Sequence, residues 1–131
     1  MIIKVFLVFY RLLWIMLVPL VLIYLWHRGR RDADYSGHLA ERFGFYRRSL
    51  PQGALWFHAV SLGETRSAIG LIRLVLARGD KVVLTHFTPT GRRESERQFK
   101  SEIASGQLVP IWVPFDMQWC YRRFFRACPA A

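Results

Sequence analysis

The stretch Trp56-Phe57-His58-Ala59-Val60-Ser61-Leu62-Gly63-Glu64-Thr65 runs from an aromatic-rich apolar segment straight into an acidic helix start, and its reading decides the fold class. The run Leu55 to Val60 has the length and composition of a buried strand. After it, Ala68, Ile69, Ile72, Val75 and Leu76 recur at helical spacing, with Arg66, Arg73 and Arg78 on the outer face. This strand, turn, helix unit puts Glu64 at the carboxyl end of a strand, where open α/β sheets collect ligands. Ser61 and Glu64 also fit the S-x-x-E capping box, in which each side chain satisfies an orphan backbone N–H and does no chemistry. Both readings stand at this level.

Outward from that unit the alternation continues, the pattern of a parallel sheet with right-handed crossovers. Lys81 to Phe87 reads as the second strand, set off by Gly79-Asp80. Thr88-Pro89-Thr90-Gly91 starts the next helix, with Thr88 available as N-cap, and a polar helix is expected over 92–101. Leu108 to Val113 reads as a third strand, and Asp116 can cap a last helix over 117–126. A short helix is expected around Leu39 to Phe43.

At the other end, Val5 to Trp26 is a run of 22 residues interrupted only by Arg11. As a helix it reaches about 33 Å, enough to span a bilayer. A central Arg costs roughly 2.5 to 3.5 kcal/mol on insertion scales, so shallow insertion is the competing arrangement. The basic run His27, Arg28, Gly29, Arg30, Arg31 replaces the small-residue site of a cleaved leader and favours a cytoplasmic location for the polypeptide on its carboxyl side. The expected organisation is a membrane anchor over 1–27, a basic linker over 28–53 and an α/β domain over 54–131, from which a fourth strand is missing.

Nineteen Lys and Arg against nine Asp and Glu give a formal net charge of +10. An anionic partner is therefore expected. The charges are dispersed and no nucleic-acid motif is present, so an anionic membrane surface or a phosphorylated lipid is expected rather than nucleic acid. Cys120 and Cys128 match no metal pattern and read as reduced fillers. No dinucleotide fingerprint or P-loop occurs.

Several residues have both a chemical and a structural reading. The helix start at Thr88, followed by Arg92 and Arg93, could hold a phosphate or carboxylate, or could be a helix start with solvated arginines. Arg42 offers forked donors suited to phosphate, or an ion pair with Glu41 or Asp34. His58 and His86 fall near the ends of the first two strands and could approach one another, yet without a carboxylate or thiolate cluster no metal site is expected. Asp32-Ala33-Asp34 matches an Asp-x-Asp pattern but lies beside the apolar segment rather than after a strand.

The combination of Ala40-Glu41-Arg42-Phe43-Gly44, His58-Ala59-Val60-Ser61-Leu62-Gly63-Glu64, Thr88-Pro89-Thr90-Gly91 and Val113-Pro114-Phe115-Asp116 resembles the amino-terminal half of the 3-deoxy-D-manno-octulosonic acid (Kdo) transferases of lipopolysaccharide synthesis. The order and intervals are similar, behind a similar apolar segment, so the resemblance covers nearly the whole chain. It departs at His86-Phe87, where a threonine-rich stretch is expected. It implies the Rossmann-like, acceptor-side domain of a GT-B glycosyltransferase that moves Kdo from CMP-Kdo to a lipid A precursor (lipid IVA) with inversion. The donor-binding half would be missing, so activity of this segment alone is not expected.

The resemblance further implies Glu64 as catalytic base and substrate contacts from Arg42, Ser61, Gly63, Thr88, Thr90, Gly91 and Arg92, with no metal or cofactor. A base is chemically required, since a sugar hydroxyl is a poor nucleophile near neutral pH, whereas the CMP phosphate leaves as a stable anion. The expected location is the cytoplasmic face of the inner membrane, in contact with its anionic lipids. The alternative from a different class is a small membrane-anchored basic adaptor that binds anionic lipid or protein, with Glu64 only capping.

Overall fold

A computed structural model describes residues 2–30, 32–35 and 38–128; Arg31 of the basic run and the terminal residues 129–131 lie outside the described residues. In chain order the elements are α1 (Ile2–Gly29), a 3-10 turn (Ala33–Tyr35), α2 (Leu39–Arg42), β1 (Leu55–Ala59), α3 (Leu62–Ala77), β2 (Val82–His86), α4 (Pro89–Gln98), α5 (Lys100–Ala104), β3 (Leu108–Trp112) and α6 (Gln118–Ala127). The strands form one parallel sheet in the order β1-β2-β3, with Ala59 opposite His86 and His86 opposite Trp112.

Alternation along the strands divides the core. Val82, Leu84 and Leu108 face α3 and pack with Ile72, Val75, Leu76 and Phe99. Val83, Val109 and Ile111 face the other way and pack with Phe124 of α6, Leu50 and Ala54. Central β2 is buried throughout. β1 differs from the buried strand expected: it lies at the sheet edge, with Leu55 39% and Trp56 37% exposed. An apolar run alone does not distinguish a central strand from an edge.

The helix expected to start at Thr88-Pro89-Thr90-Gly91 does so at Pro89, whose missing N–H costs nothing in a first turn. It ends at Gln98 because Phe99 leaves helical geometry (ψ 36°) and turns fully into the core, and α5 follows. Asp116 does not cap α6: the position before the helix is Met117, and Asp116 accepts a hydrogen bond from Tyr10 of α1.

The expected linker packs in its second half. Arg42, Gly44 and Leu50 are buried, and Phe43 packs edge-on to Phe115 and stacks on Trp119 of α6. Gly44 has a φ of +78°, and an added Cβ would lie 2.8 Å from the Cys120 carbonyl oxygen. Gly44→Ala is expected to lose about 3 kcal/mol, combining left-handed strain with overpacking against rigid backbone. Gly79, with φ +88° and open space around it, is the control, expected to lose about 1 to 2 kcal/mol. Equal losses in chemical denaturation would show that the contact with α6 contributes nothing.

α1 is one helix long and apolar enough to cross a membrane by length and composition. Its partly covered positions, Tyr10, Trp14, Val18, Val21, Leu22 and Leu25, recur at helical spacing and turn toward the globular part. Leu25 packs with Phe115 and Cys120, and Arg11 donates to Gln118 Oε1 at 2.9 Å.

Candidate active site at the carboxyl ends of β1 and β2

The turn after β1 is built as a reciprocal cap. Glu64 N–H donates to Ser61 Oγ at 3.3 Å, and Val60 N–H donates to Glu64 Oε2 at 2.6 Å. Glu64 is exposed, and its Oε1 carries no protein partner among the described residues. The structural reading of Ser61 and Glu64 is thus realised, and it leaves one carboxylate oxygen facing solvent, held by the oxygen beside it.

The β2–α4 turn is tied to this one. Thr88 does not cap α4 with its side chain; its hydroxyl donates to Val60 O at 3.2 Å, and Thr90 Oγ1 lies 3.5 Å from Thr88 Oγ1. Thr65 Oγ1 donates to Ser61 O at 2.9 Å. Gly91 closes the junction: a Cβ there would meet Thr65 Oγ1 at 2.9 Å and Ser61 O at 3.3 Å, so only glycine lets α4 approach the start of α3 this closely. Ser61, Gly63, Glu64, Thr88, Thr90 and Gly91 are therefore brought together at two adjacent helix starts.

Arg42 and Arg92 are drawn elsewhere. Arg92 is 6% exposed; its Nη1 meets Glu41 Oε2 at 3.1 Å, its Nε meets Glu96 Oε1 at 2.9 Å, and its guanidinium lies over Trp112. Arg42 is 3% exposed, lies 4.5 Å from the Trp112 ring centroid, and donates to Phe87 O at 3.3 Å. It pairs with neither Glu41 nor Asp34. Burial, reinforced by Arg92, pulls its guanidinium down to about 10. Glu41 also accepts the Trp112 N–H at 3.0 Å. Glu41, Arg42, Arg92 and Trp112 form a stacked, ion-paired block at the end of β3, a role spacing could not reveal because Glu41 and Arg42 lie far in sequence from Arg92 and Trp112.

Arg93 is exposed, as a solvated arginine would be, and it also bridges Asp32 and Asp34, which gives that Asp-x-Asp pattern a structural role. Hydrogen bonding from Arg93 holds the Asp32 carboxyl below its ordinary range.

His58 and His86 point to opposite faces. His58 Nδ1 lies 2.8 Å from Thr85 Oγ1, on the side where Trp56 meets Phe124. His86 is fully buried on the other face. There Ser95 Oγ donates to Arg92 O, so it accepts from His86 Nε2, while Nδ1 is buried with no hydrogen-bond partner. No group of three or more metal-binding side chains occurs among the described residues.

Burial, followed by the nearby Arg92, lowers the His86 pKa from 6.5 to about 4. The native state holds this imidazole neutral while the unfolded chain protonates it. Its contribution is complete above pH 6.5 and is lost as pH falls toward about 4. The loss is on the order of 3 kcal/mol. Chemical denaturation at stepped pH is expected to show this decline, flattened in His86→Gln.

Comparison with known proteins places this sequence in a family. The family model described as 3-deoxy-D-manno-octulosonic-acid transferase (kdotransferase) matches residues 37–130. The chain is 45% identical over 112 residues to the 3-deoxy-D-manno-octulosonic acid transferase of Bordetella pertussis, covering 82% of this chain and 26% of that protein. It is 30% identical over 121 residues to the enzyme of the same name from Haemophilus influenzae, covering 88% and 27%. A probable mitochondrial counterpart from Arabidopsis thaliana is 42% identical over 65 residues, covering 49% and 14%. No solved structure matches significantly. The chain spans about a quarter of the length of the first two relatives. With the family model matching well over half of its residues, this chain belongs to the 3-deoxy-D-manno-octulosonic-acid (Kdo) transferase family.

Proposed function

We propose that this chain is the acceptor-side domain of a GT-B Kdo transferase that moves Kdo from CMP-Kdo to a lipid A precursor with inversion, and that Glu64 is its base. The observation that carries the reading is the free Oε1 of Glu64 at the carboxyl end of β1, in a carboxylate oriented by Val60 N–H. In an inverting displacement the acceptor hydroxyl attacks the anomeric carbon, its proton passes to the base, and the C–O bond to CMP breaks with the electron pair leaving on phosphate. The hydroxyls of Ser61, Thr88 and Thr90 stand beside the base and offer hydrogen bonds to a saccharide.

Arg42 and Arg92 act in this scheme by bracing the platform under Phe87 and Trp112, in place of the substrate contacts expected of them. The donor binds to a second domain, and α1 holds this one at the cytoplasmic face of the inner membrane. The test is Kdo transfer to lipid A precursor by a polypeptide carrying this segment together with a donor-binding half, with Glu64→Gln and Glu64→Ala compared. Undiminished turnover in both would remove Glu64 from the role.

A further inference from the structure

The fold gathers arginines that the sequence disperses. Arg66, Arg78, Arg92, Arg93 and Arg97 each lie within 4 Å of a carboxylate. Arg47, Arg48, Arg122 and Arg126 have no ion-pair, hydrogen-bond or ring partner among the described residues. These four lie on or beside α6. Arg47, Arg48 and Arg126, with Arg123, line a basin of about 710 Å³ that no carboxylate lines. Tyr46 also lines it, with its hydroxyl buried and unpaired.

The outer face of α6 carries more than charge. Trp119, Arg122 and Arg126 follow one another at helical spacing, with Phe125 alongside, while Cys120 and Phe124 face the core. Trp119 is 43% and Phe125 46% exposed. Arg123 lies between two rings, 4.1 Å from the Phe45 centroid and 4.8 Å from that of Trp119. Toward its amino end the same face meets the apolar helix: Trp119 and Arg122 share a 360 Å³ cleft with Leu7, Tyr10 and Trp14 of α1. Unpaired arginines interleaved with half-exposed aromatics, continuous with an apolar helix, match the depth profile of a bilayer interface, with rings at the headgroup level and guanidinium groups among phosphates.

We propose that the outer face of α6, with Arg47 and Arg48 beside it, binds the phosphate headgroups of anionic phospholipid at the bilayer surface. The surface is built whether or not Glu64 is a base, so its test is independent of turnover. α1 then lies along the domain at the interface with Arg11 at the α6 cleft, which removes the difficulty of an arginine at mid-bilayer.

The experiment is the distribution of the full chain between separable vesicles of phosphatidylcholine and of phosphatidylglycerol, in which insertion of α1 is common to both. Each interfacial arginine is worth about a fivefold preference for the anionic vesicle. Arg122→Gln/Arg126→Gln is expected to reduce the wild-type preference about 25-fold at low salt, and Arg47→Gln/Arg48→Gln by a similar factor. Arg78→Gln/Arg97→Gln carries the same net charge on the opposite side and is expected to change it less than about twofold. Thermal unfolding of each variant checks that the fold is kept.

Equal reductions by all three pairs would overturn the proposal in favour of diffuse attraction. Displacement of the chain from anionic vesicles by soluble glycerol phosphate would overturn it in favour of a small-anion site. Retention of duplex DNA, lost in the α6 variant while vesicle preference is unchanged, would overturn it in favour of a nucleic-acid surface.

Discussion

Glu64→Gln is expected to lower Kdo transfer by about 10²- to 10⁴-fold while leaving stability within about 0.5 kcal/mol. The two effects separate because the carboxylate oxygens have different work. Oε2 accepts from Val60 N–H, and a glutamine carbonyl oxygen can do the same. Oε1 faces solvent, and an amide in its place cannot take up a proton from an acceptor hydroxyl. Glu64→Ala removes both functions and is expected to cost about 1 kcal/mol of stability in addition to the turnover. Single-turnover rates and chemical denaturation on the same samples decide it. Stability lost in Ala but kept in Gln, with turnover intact in both, would leave Glu64 as a cap alone.

Glu41→Ala is expected to be the most destabilising substitution in the chain, at about 3 to 5 kcal/mol. Glu41 is largely buried and serves two partners through one oxygen, the Arg92 guanidinium and the Trp112 N–H. Removing it leaves a guanidinium that is 6% exposed with only the half-exposed Glu96 as counter-charge, and leaves a backbone donor of a buried strand without its acceptor. Glu96, the other partner of Arg92, is 44% exposed, so Glu96→Ala is expected to cost about 1 kcal/mol or less. Equal losses in denaturation would contradict the buried network.

Local signals located the elements and long-range ones decided their roles. The three strands were legible as apolar runs bounded by Gly, Pro and charged residues, and Ser61 with Glu64 announced the start of α3 and its reciprocal cap. Pro89 marked the start of α4, yet the break at Phe99 was invisible, because it reflects one side chain filling a core that α3 and β3 close. The packing of Arg42 and Arg92 was hidden because a sequence displays charge without its spatial partners: Glu41 and Arg92 are fifty-one residues apart, and the Trp112 ring that Arg42 faces belongs to β3. The same limitation hid the α6 surface, whose arginines come from two segments about seventy-five residues distant, as the bond from Gln52 to Ala127 O illustrates.

The unpartnered side of β1 bears on how the proposed reaction centre would be completed. Among the described residues its backbone is paired only toward β2. A further parallel strand laid along that rim would, because parallel strands end at the same side of a sheet, bring its own trailing loop beside Ser61 and Glu64. The outer wall confining a saccharide would then be furnished by polypeptide added at β1, while the Arg42–Trp112 stack already braces the opposite edge of the sheet.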